Sequence, residues 1–209
     1  MSALPRIRTF LFWFLSLAIA LASWRWLALG VELSMPPMFH HVFKKPVALY
    51  VHIFFAPVAL ALMPFQFWAG LRNRRPAVHR WLGRGYGMAI LFSGTGGFFI
   101  ALNTNAGPVA ASGFALLAVL WLATTARGIQ LAMARRIAEH RRWMIRSAAL
   151  TFAAVTLRLY LPLLAAAFGF ETGYPIVAWL CWVPNLLIAE WLLLRPQSRL
   201  ALTRLKSST

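Results

Sequence analysis

Residues 47–68 read VALYVHIFFAPVALALMPFQFW and contain no Lys, Arg, Asp or Glu. The hydrocarbon core of a bilayer is about 30 Å thick, and an α-helix of about 20 apolar residues spans it. Because water is absent there, a crossing segment must satisfy its backbone hydrogen bonds internally, which a helix does. This stretch therefore predicts a transmembrane helix, and its recurrence along the chain decides the fold.

Five further stretches share this apolar character. We expect them to span the membrane at approximately 10–26, 86–102, 109–125, 144–168 and 174–194. The composition agrees: 61% of the residues are hydrophobic and 12% are charged, whereas soluble domains carry about 25% charged residues. The sequence predicts an all-α polytopic membrane protein, with residues 1–209 forming one integral membrane domain built as a bundle of about six helices.

The basic residues predict the orientation of this bundle. The net charge of +17 would suit a nucleic-acid-binding protein, but the long apolar runs would not. Apart from the intramembrane Arg158, every Lys and Arg except Arg25, Lys44 and Lys45 falls on one side of the predicted spans. The positive-inside rule makes that side cytoplasmic, with both termini inside. We therefore expect anionic inner-leaflet lipids as partners, and no nucleic acid.

The N-terminal segment admits a second interpretation. Arg6 and Arg8, the apolar run after them and the residues 20–22 (ALA) resemble the three parts of a cleavable signal peptide. The run is rich in aromatic residues and continues through Trp26. This continuation favours an uncleaved first helix.

A near-repeat stands before the third and fifth spans. Residues 79–84 read HRWLGR and residues 140–146 read HRRWMIR, so in both copies a Trp follows the leading His within three positions. Both spans are entered from the same side, which places the two imidazoles at one depth. Two neutral imidazoles with neighbouring arginines are the groups that a bis-histidine haem b requires, the arginines contacting its propionates. The predicted haem-iron ligands are His79 and His140, and the predicted propionate contacts are Arg84, Arg142 and Arg146.

The same residue types have a simpler explanation. Arg and Trp are ordinary anchors at a membrane interface, and His often accompanies them. Both explanations of the near-repeat remain open from the residues alone.

Arg158 marks a second predicted site within the membrane. A charged side chain at this depth is costly unless it faces a partner or a cavity, so an intramembrane Arg indicates function. We expect His52, Arg158 and Asn185 to cluster in the outer half of the bilayer, and Glu190 to meet Arg146 near the cytoplasmic side. The outer cluster would bind a quinone or a redox partner in an electron-transfer protein, and an anionic lipid or metabolite in a non-redox carrier.

Several segments resemble a bacterial family of predicted membrane proteins described as domain of unknown function 2306. The resemblance extends from about Tyr50 to Trp191 and is carried by residues 79–86 (HRWLGRGY), 140–147 (HRRWMIRS), 150–158 (LTFAAVTLR) and 179–186 (WLCWVPNL). It implies a multi-pass protein of the bacterial inner membrane and supplies no activity. A looser similarity connects His79 and His140 with the histidine pairs of transmembrane b-type cytochromes. The fourth span lacks a histidine, so the pattern supports at most one haem.

Three functions therefore remain open. The first is electron transfer through one haem b held by His79 and His140. The second is a non-redox carrier or binding protein centred on Arg158, and the third is a structural or assembly subunit of a larger complex.

Overall fold

The computed structural model describes the backbone of residues 3–206 and the side chains of residues 6–194. Within that part of the chain the regular secondary structure is entirely helical. One short 3-10 turn covers Pro36–Met38. The α-helices, in chain order, are α1 (Ala3–Ser23), α2 (Trp26–Ser34), α3 (His40–Lys44), α4 (Pro46–Phe67), α5 (Ala69–Arg74), α6 (Pro76–Leu102), α7 (Gly107–Met133), α8 (Ile137–Thr151), α9 (Ala153–Phe168), α10 (Phe170–Leu180) and α11 (Val183–Lys206).

Six segments are long and apolar enough to cross a membrane. They are Arg6–Ser23, Pro46–Phe67, Pro76–Leu102, Gly107–Met133, Ile137–Phe168 and Phe170–Leu194. The predicted all-α membrane bundle with six spans is therefore confirmed. The fifth span consists of α8 and α9 in succession, and the sixth consists of α10 and the first part of α11.

The helices extend beyond the apolar stretches that predict them. α6 begins at Pro76 rather than near residue 86, and α7 continues to Met133 rather than ending near residue 125. Both of these added segments contain arginines. Hydropathy falls where a helix leaves the hydrocarbon, whereas its backbone hydrogen bonds can continue through the interface. The charged residues thus mark the membrane boundary and not the end of the helix.

Short connections order the central helices. Residues 103–106 join α6 to α7, and residues 134–136 join α7 to α8, so α6 and α8 begin at the same end of the bundle. We call this the basic end; it also contains α5. The other end, which contains α2, the 3-10 turn and α3, is the loop end. Pro46 and Pro76 begin α4 and α6, a position where the missing amide hydrogen costs no hydrogen bond.

A buried hydrogen-bond network joins the central helices. The Tyr86 hydroxyl lies 3.0 Å from Ser147 Oγ and 2.7 Å from Thr151 Oγ1. Trp121 Nε1 donates to Thr151 Oγ1 at 2.8 Å, and Thr125 Oγ1 lies 2.7 Å from Ser147 Oγ. Because each member has a partner, this network stabilises the packing of α6, α7 and α8. Ser147 and Thr151, two polar residues of the fifth span, thus have their hydrogen-bond partners within the protein.

The orientation of the bundle stays a prediction. Four of the basic residues that it depends on have side chains outside the described residues. These are Arg195, Arg199, Arg204 and Lys206.

Candidate functional site

The two histidines of the near-repeat occupy equivalent helical positions. His79 is the fourth residue of α6 and His140 is the fourth residue of α8. The amide of His79 donates to the Arg75 carbonyl at 3.1 Å, and that of His140 donates to the Arg136 carbonyl at 2.9 Å. The imidazoles lie within electrostatic range of each other. The structure therefore brings the two predicted haem ligands to one end of the bundle.

The two imidazoles differ in their hydrogen bonds. His140 Nδ1 donates to the Gly128 carbonyl at 2.8 Å, which leaves Nε2 as the hydrogen-bond acceptor of the neutral ring. His79 Nδ1 is buried and has no hydrogen-bond partner among the described residues. A ring nitrogen anchored to a carbonyl is the usual arrangement of a metal-ligating histidine, and it is also common in histidines that only pack.

The arginines of the near-repeat lie over their own tryptophans. The Arg84 guanidinium carbon lies 4.6 Å from the centre of the Trp81 ring, and that of Arg146 lies 4.8 Å from the centre of the Trp143 ring. Both pairs are separated by three residues and share one face of a helix. The near-repeat is thus a structural repeat, in which each copy forms the same cation–π contact.

Arg146 also forms an ion pair with Glu190, as the sequence predicts. Its Nε lies 2.5 Å from Oε1 and its Nη2 lies 2.8 Å from Oε2, so the contact is bidentate. Arg142 lies within electrostatic range of the same carboxylate. Two of the three arginines assigned to haem propionates thus have an acidic neighbour within the protein.

A cavity of about 460 Å³ occupies the half of the bundle toward the loop end. Its walls come from α1, α4, α6, α7, α8, α9 and α10, and the segment between α2 and α3 covers it. The end nearest the middle of the bundle is apolar, formed by Leu60, Leu117, Trp121 and Leu150. Pockets of about 300–1,000 Å³ with such walls hold small molecules.

Arg158 and His52 both line this cavity. Arg158 Nη1 donates to the Ala154 carbonyl of its own helix at 2.9 Å. No carboxylate of the described residues lies within ion-pair distance of this guanidinium. His52 Nδ1 lies 2.8 Å from the Ser93 carbonyl oxygen, and the imidazole lies within electrostatic range of Arg158. The structure thus brings together two of the three residues expected in the outer cluster.

Asn185 lies elsewhere. Its amide nitrogen donates to the Cys181 carbonyl at 3.0 Å and to Thr156 Oγ1 at 3.1 Å, and it does not line the cavity. These bonds connect α9 with α11 and account for a polar residue in the sixth span. Asn185 bonds Thr156, which lies two residues before Arg158 in α9, so it is at a similar depth to Arg158 but outside the cavity.

Arg25, His41 and Ser93 are among the polar residues at the cavity that were not assigned to it from the sequence. His41 is fully buried, and in the part of the chain that the structure describes neither of its ring nitrogens has a hydrogen-bond partner; Ser93 Oγ is buried and unpartnered in the same sense. Burial, together with the positive charge that His40 and Lys44 place nearby, lowers the pKa of His41 to about 4. No signal in the sequence could have found His41 and Arg25, since they reach the cavity only through the fold of the loop end, whereas Ser93 belongs to a run of small residues that can open room for a ligand.

Glycines position His52 in the cavity wall. A Cβ at Gly97 would lie 2.8 Å from His52 Nδ1, and one at Gly96 would lie 2.6 Å from the Ala48 carbonyl oxygen. The run of small residues at 93–97 therefore permits α4 and α6 to approach closely and holds the imidazole against α6.

The comparisons with known proteins place the chain in a family. No curated protein and no solved structure matches it. Among the residues that the structure describes, no three His, Cys, Asp or Glu side chains are grouped as in a protein metal site. A family model described as predicted membrane protein (DUF2306) matches residues 49–193, a range that contains His52, Arg158 and both copies of the near-repeat. The chain belongs to this family of predicted membrane proteins of unknown function, DUF2306.

Proposed function

We propose that this multi-pass membrane protein binds an anionic amphiphile in the cavity, as a non-redox binding protein or carrier. Arg158 holds the anionic head group and the apolar wall holds the chain of the ligand. One observation supports this most: the Arg158 guanidinium lines a cavity at membrane depth and has no carboxylate partner among the described residues.

The energetic argument concerns the charge of Arg158. Placing an Arg at the centre of a transmembrane helix costs about 2.5–3.5 kcal/mol on insertion scales. A single bond to the Ala154 carbonyl leaves most of the five guanidinium N–H groups without a protein acceptor. A carboxylate or phosphate matches the planar fork of these donors and would supply the missing charge.

The walls of the cavity favour an amphiphile over a small hydrophilic anion. Leu150 lies at the deep, apolar end, and Arg158 lies eight residues further along the same span, which at 1.5 Å per helical residue is about 12 Å. The charged group therefore lies toward the loop end, and Leu60, Leu117 and Leu150 lie toward the middle of the bundle. A head group at Arg158 with a chain directed inward would match both regions.

Binding of palmitate to the purified full-length protein in detergent tests the proposal. We expect saturable binding to the wild type and at least a tenfold lower affinity for Arg158→Gln, because a hydrogen bond to a charged group contributes about 1.5–3 kcal/mol. Arg84→Gln is the matched control, since it removes an arginine of the basic end, and its affinity should equal that of the wild type.

A second measurement requires no variant. The wild type should bind palmitate more tightly than palmitate methyl ester, which has the same chain and no charge, and more tightly than decylubiquinone. Equal binding of palmitate and the ester would overturn the proposal, and binding of the quinone alone would favour the electron-transfer hypothesis.

Haem binding at the basic end is the second candidate. The free Nε2 of His140 and the unpartnered Nδ1 of His79 favour it. Close packing beside the two histidines opposes it: a Cβ at Gly128 would lie 2.6 Å from Met144 Sδ, and one at Gly87 would lie 2.8 Å from Ile129 Cδ1. A flat macrocycle between these helices would require them to separate.

The absorption spectrum of the protein purified from its native membrane tests this candidate. A Soret band that disappears in both His79→Ala and His140→Ala would establish it. A wild-type protein without a Soret band after haem supplementation would exclude it.

For the membrane itself, we propose the bacterial inner membrane, with the basic end toward the cytoplasm and its anionic lipids. The distribution of Lys and Arg along the chain supports this orientation. A membrane-impermeant thiol reagent should label a cysteine introduced at residue 105, in the loop between α6 and α7, when it is added to intact cells, and should fail to label it when added to the outside of inverted vesicles; the native Cys181 is buried.

A further inference from the structure

The hydrogen bond between His52 and Ser93 defines the tautomer of the imidazole. The partner of His52 Nδ1 is the backbone carbonyl oxygen of Ser93, at 2.8 Å. A carbonyl oxygen can only accept a hydrogen bond, so Nδ1 carries the proton. In the neutral imidazole, Nε2 is then a pure acceptor.

This acceptor has no hydrogen-bond partner among the described residues. The described residues form no hydrogen bond with His52 other than the one at Nδ1. The ring lines the cavity, and Gly96 and Gly97 of α6 lie against it. Its position is therefore fixed by close backbone packing, and Nε2 remains the free polar atom of a residue in the cavity wall.

Arg158 and His52 form no hydrogen bond with each other, since their side chains bond the Ala154 and Ser93 carbonyl oxygens. The two side chains instead present complementary requirements to one ligand. Arg158 offers only donors and requires an acceptor with negative charge, whereas His52 Nε2 offers a lone pair and requires a donor. Ser93 Oγ, buried without a partner in the same wall, can act as either.

We infer that the anionic amphiphile carries a hydroxyl group close to its carboxylate or phosphate, with the anion bound by Arg158 and the hydroxyl hydrogen donated to His52 Nε2. This inference rests on the function proposed above and narrows its ligand class. An amphiphile without the hydroxyl would cover Nε2 without bonding it, and an acceptor that the ligand removes from water and leaves unpaired weakens binding.

The affinities of palmitate, 2-hydroxypalmitate and 3-hydroxypalmitate for the full-length protein test this ligand class. We expect the wild type to bind the better hydroxy acid about fivefold more tightly than palmitate, the factor that a hydrogen bond of typical strength supplies. His52→Leu should bind all three with the affinity that the wild type has for palmitate. Arg158→Gln should weaken the binding of all three and keep the preference.

The outcomes separate this inference from the proposal it rests on. Equal affinities of the three acids for the wild type, or a preference that survives in His52→Leu, would overturn the inference and leave the proposed function intact. A wild type that binds none of the three acids would overturn the proposed function.

A measurement on the wild type guards against a His52→Leu variant that fails to fold. In protein with ¹⁵N-labelled histidine, His52 should show a protonated Nδ1 and an unprotonated Nε2. Addition of the preferred hydroxy acid should shift the Nε2 resonance, and addition of palmitate should leave it in place. A protonated Nε2 in the ligand-free protein, or no shift with either hydroxy acid, would also overturn the inference.

Discussion

Basic residues lie in opposite situations at the two ends of this bundle. At the basic end they are numerous, and those of the near-repeat contact aromatic or acidic side chains: Arg84 lies over Trp81, and Arg146 contacts both Trp143 and Glu190. In the cavity they are few, and among the described residues the Arg158 side chain hydrogen-bonds only to a backbone carbonyl. The number of charges in a motif is therefore a poor guide to a binding site. A charge without a protein partner, placed where one is costly, is a better one.

The largest difference between the two ends should appear in the stability lost when a glycine is replaced by alanine. Gly96→Ala should lower the free energy of unfolding by about 2–3 kcal/mol, because the added Cβ would lie 2.6 Å from the Ala48 carbonyl oxygen, a backbone atom that cannot move aside. Gly83→Ala at the basic end should change it by less than about 0.5 kcal/mol, since there the Cβ would meet the flexible end of Gln66. Thermal unfolding in detergent measures both, and equal losses would contradict the difference between the ends.

Removal of an arginine should have opposite effects at the two ends. Arg146→Gln should destabilise the protein by about 1 kcal/mol, because it leaves the Glu190 carboxylate without its bidentate partner. Arg158→Gln should leave the unfolding temperature of ligand-free protein unchanged or higher, because it removes an unpaired charge from the membrane interior. A loss of stability in Arg158→Gln as large as that in Arg146→Gln would indicate a protein partner for Arg158.

Acid should weaken the loop end. The pKa of His41 is about 4 in the folded protein and about 6.5 when unfolded, so protonation favours unfolding. The stabilisation is complete above pH 6.5 and is lost as the pH falls toward 4. We expect the unfolding temperature to fall by a few degrees between pH 7.5 and pH 5, and by less in His41→Gln, where this titrating group is absent. The same fall in both proteins would assign the acid sensitivity to other groups.

The smallest effects are expected from the tryptophans of the near-repeat. Trp81→Leu and Trp143→Leu each remove one cation–π contact at the basic end, and an exposed contact of this kind contributes about 0.5–1 kcal/mol. Neither variant should change the affinity for palmitate. A change in ligand affinity in either variant would show that the basic end and the cavity are coupled.

The sequence predicted the features that depend on whether a segment lies in lipid or in water. Apolar length alone identifies the six spans, because a bilayer requires about 20 apolar residues and a helical backbone. Helical spacing within and between spans then predicted that Arg158 and His52 would lie at similar depth. The structure places both at one cavity.

Apart from the pair of Arg146 and Glu190, most contacts between helices were beyond prediction. Asn185 was expected beside Arg158, yet it bonds Thr156 and Cys181, because depth along a span does not determine which neighbour a side chain faces. His41 lies in a loop between spans and became a cavity residue only through the fold of residues 34–45. Apolar spans carry little information about their faces, since lipid and protein core are both apolar.

The sequence by itself determined the membrane class, the number of spans and the repeated His–Trp–Arg pattern, because these follow from hydropathy and local spacing. The sequence also predicted the ion pair between Arg146 and Glu190. Only the tertiary structure decided that Arg158 lies at a cavity with His52 and has no carboxylate partner among the described residues. The physical reason is that a hydrogen bond or ion pair depends on distances of about 3 Å between helices, and those distances are set by packing.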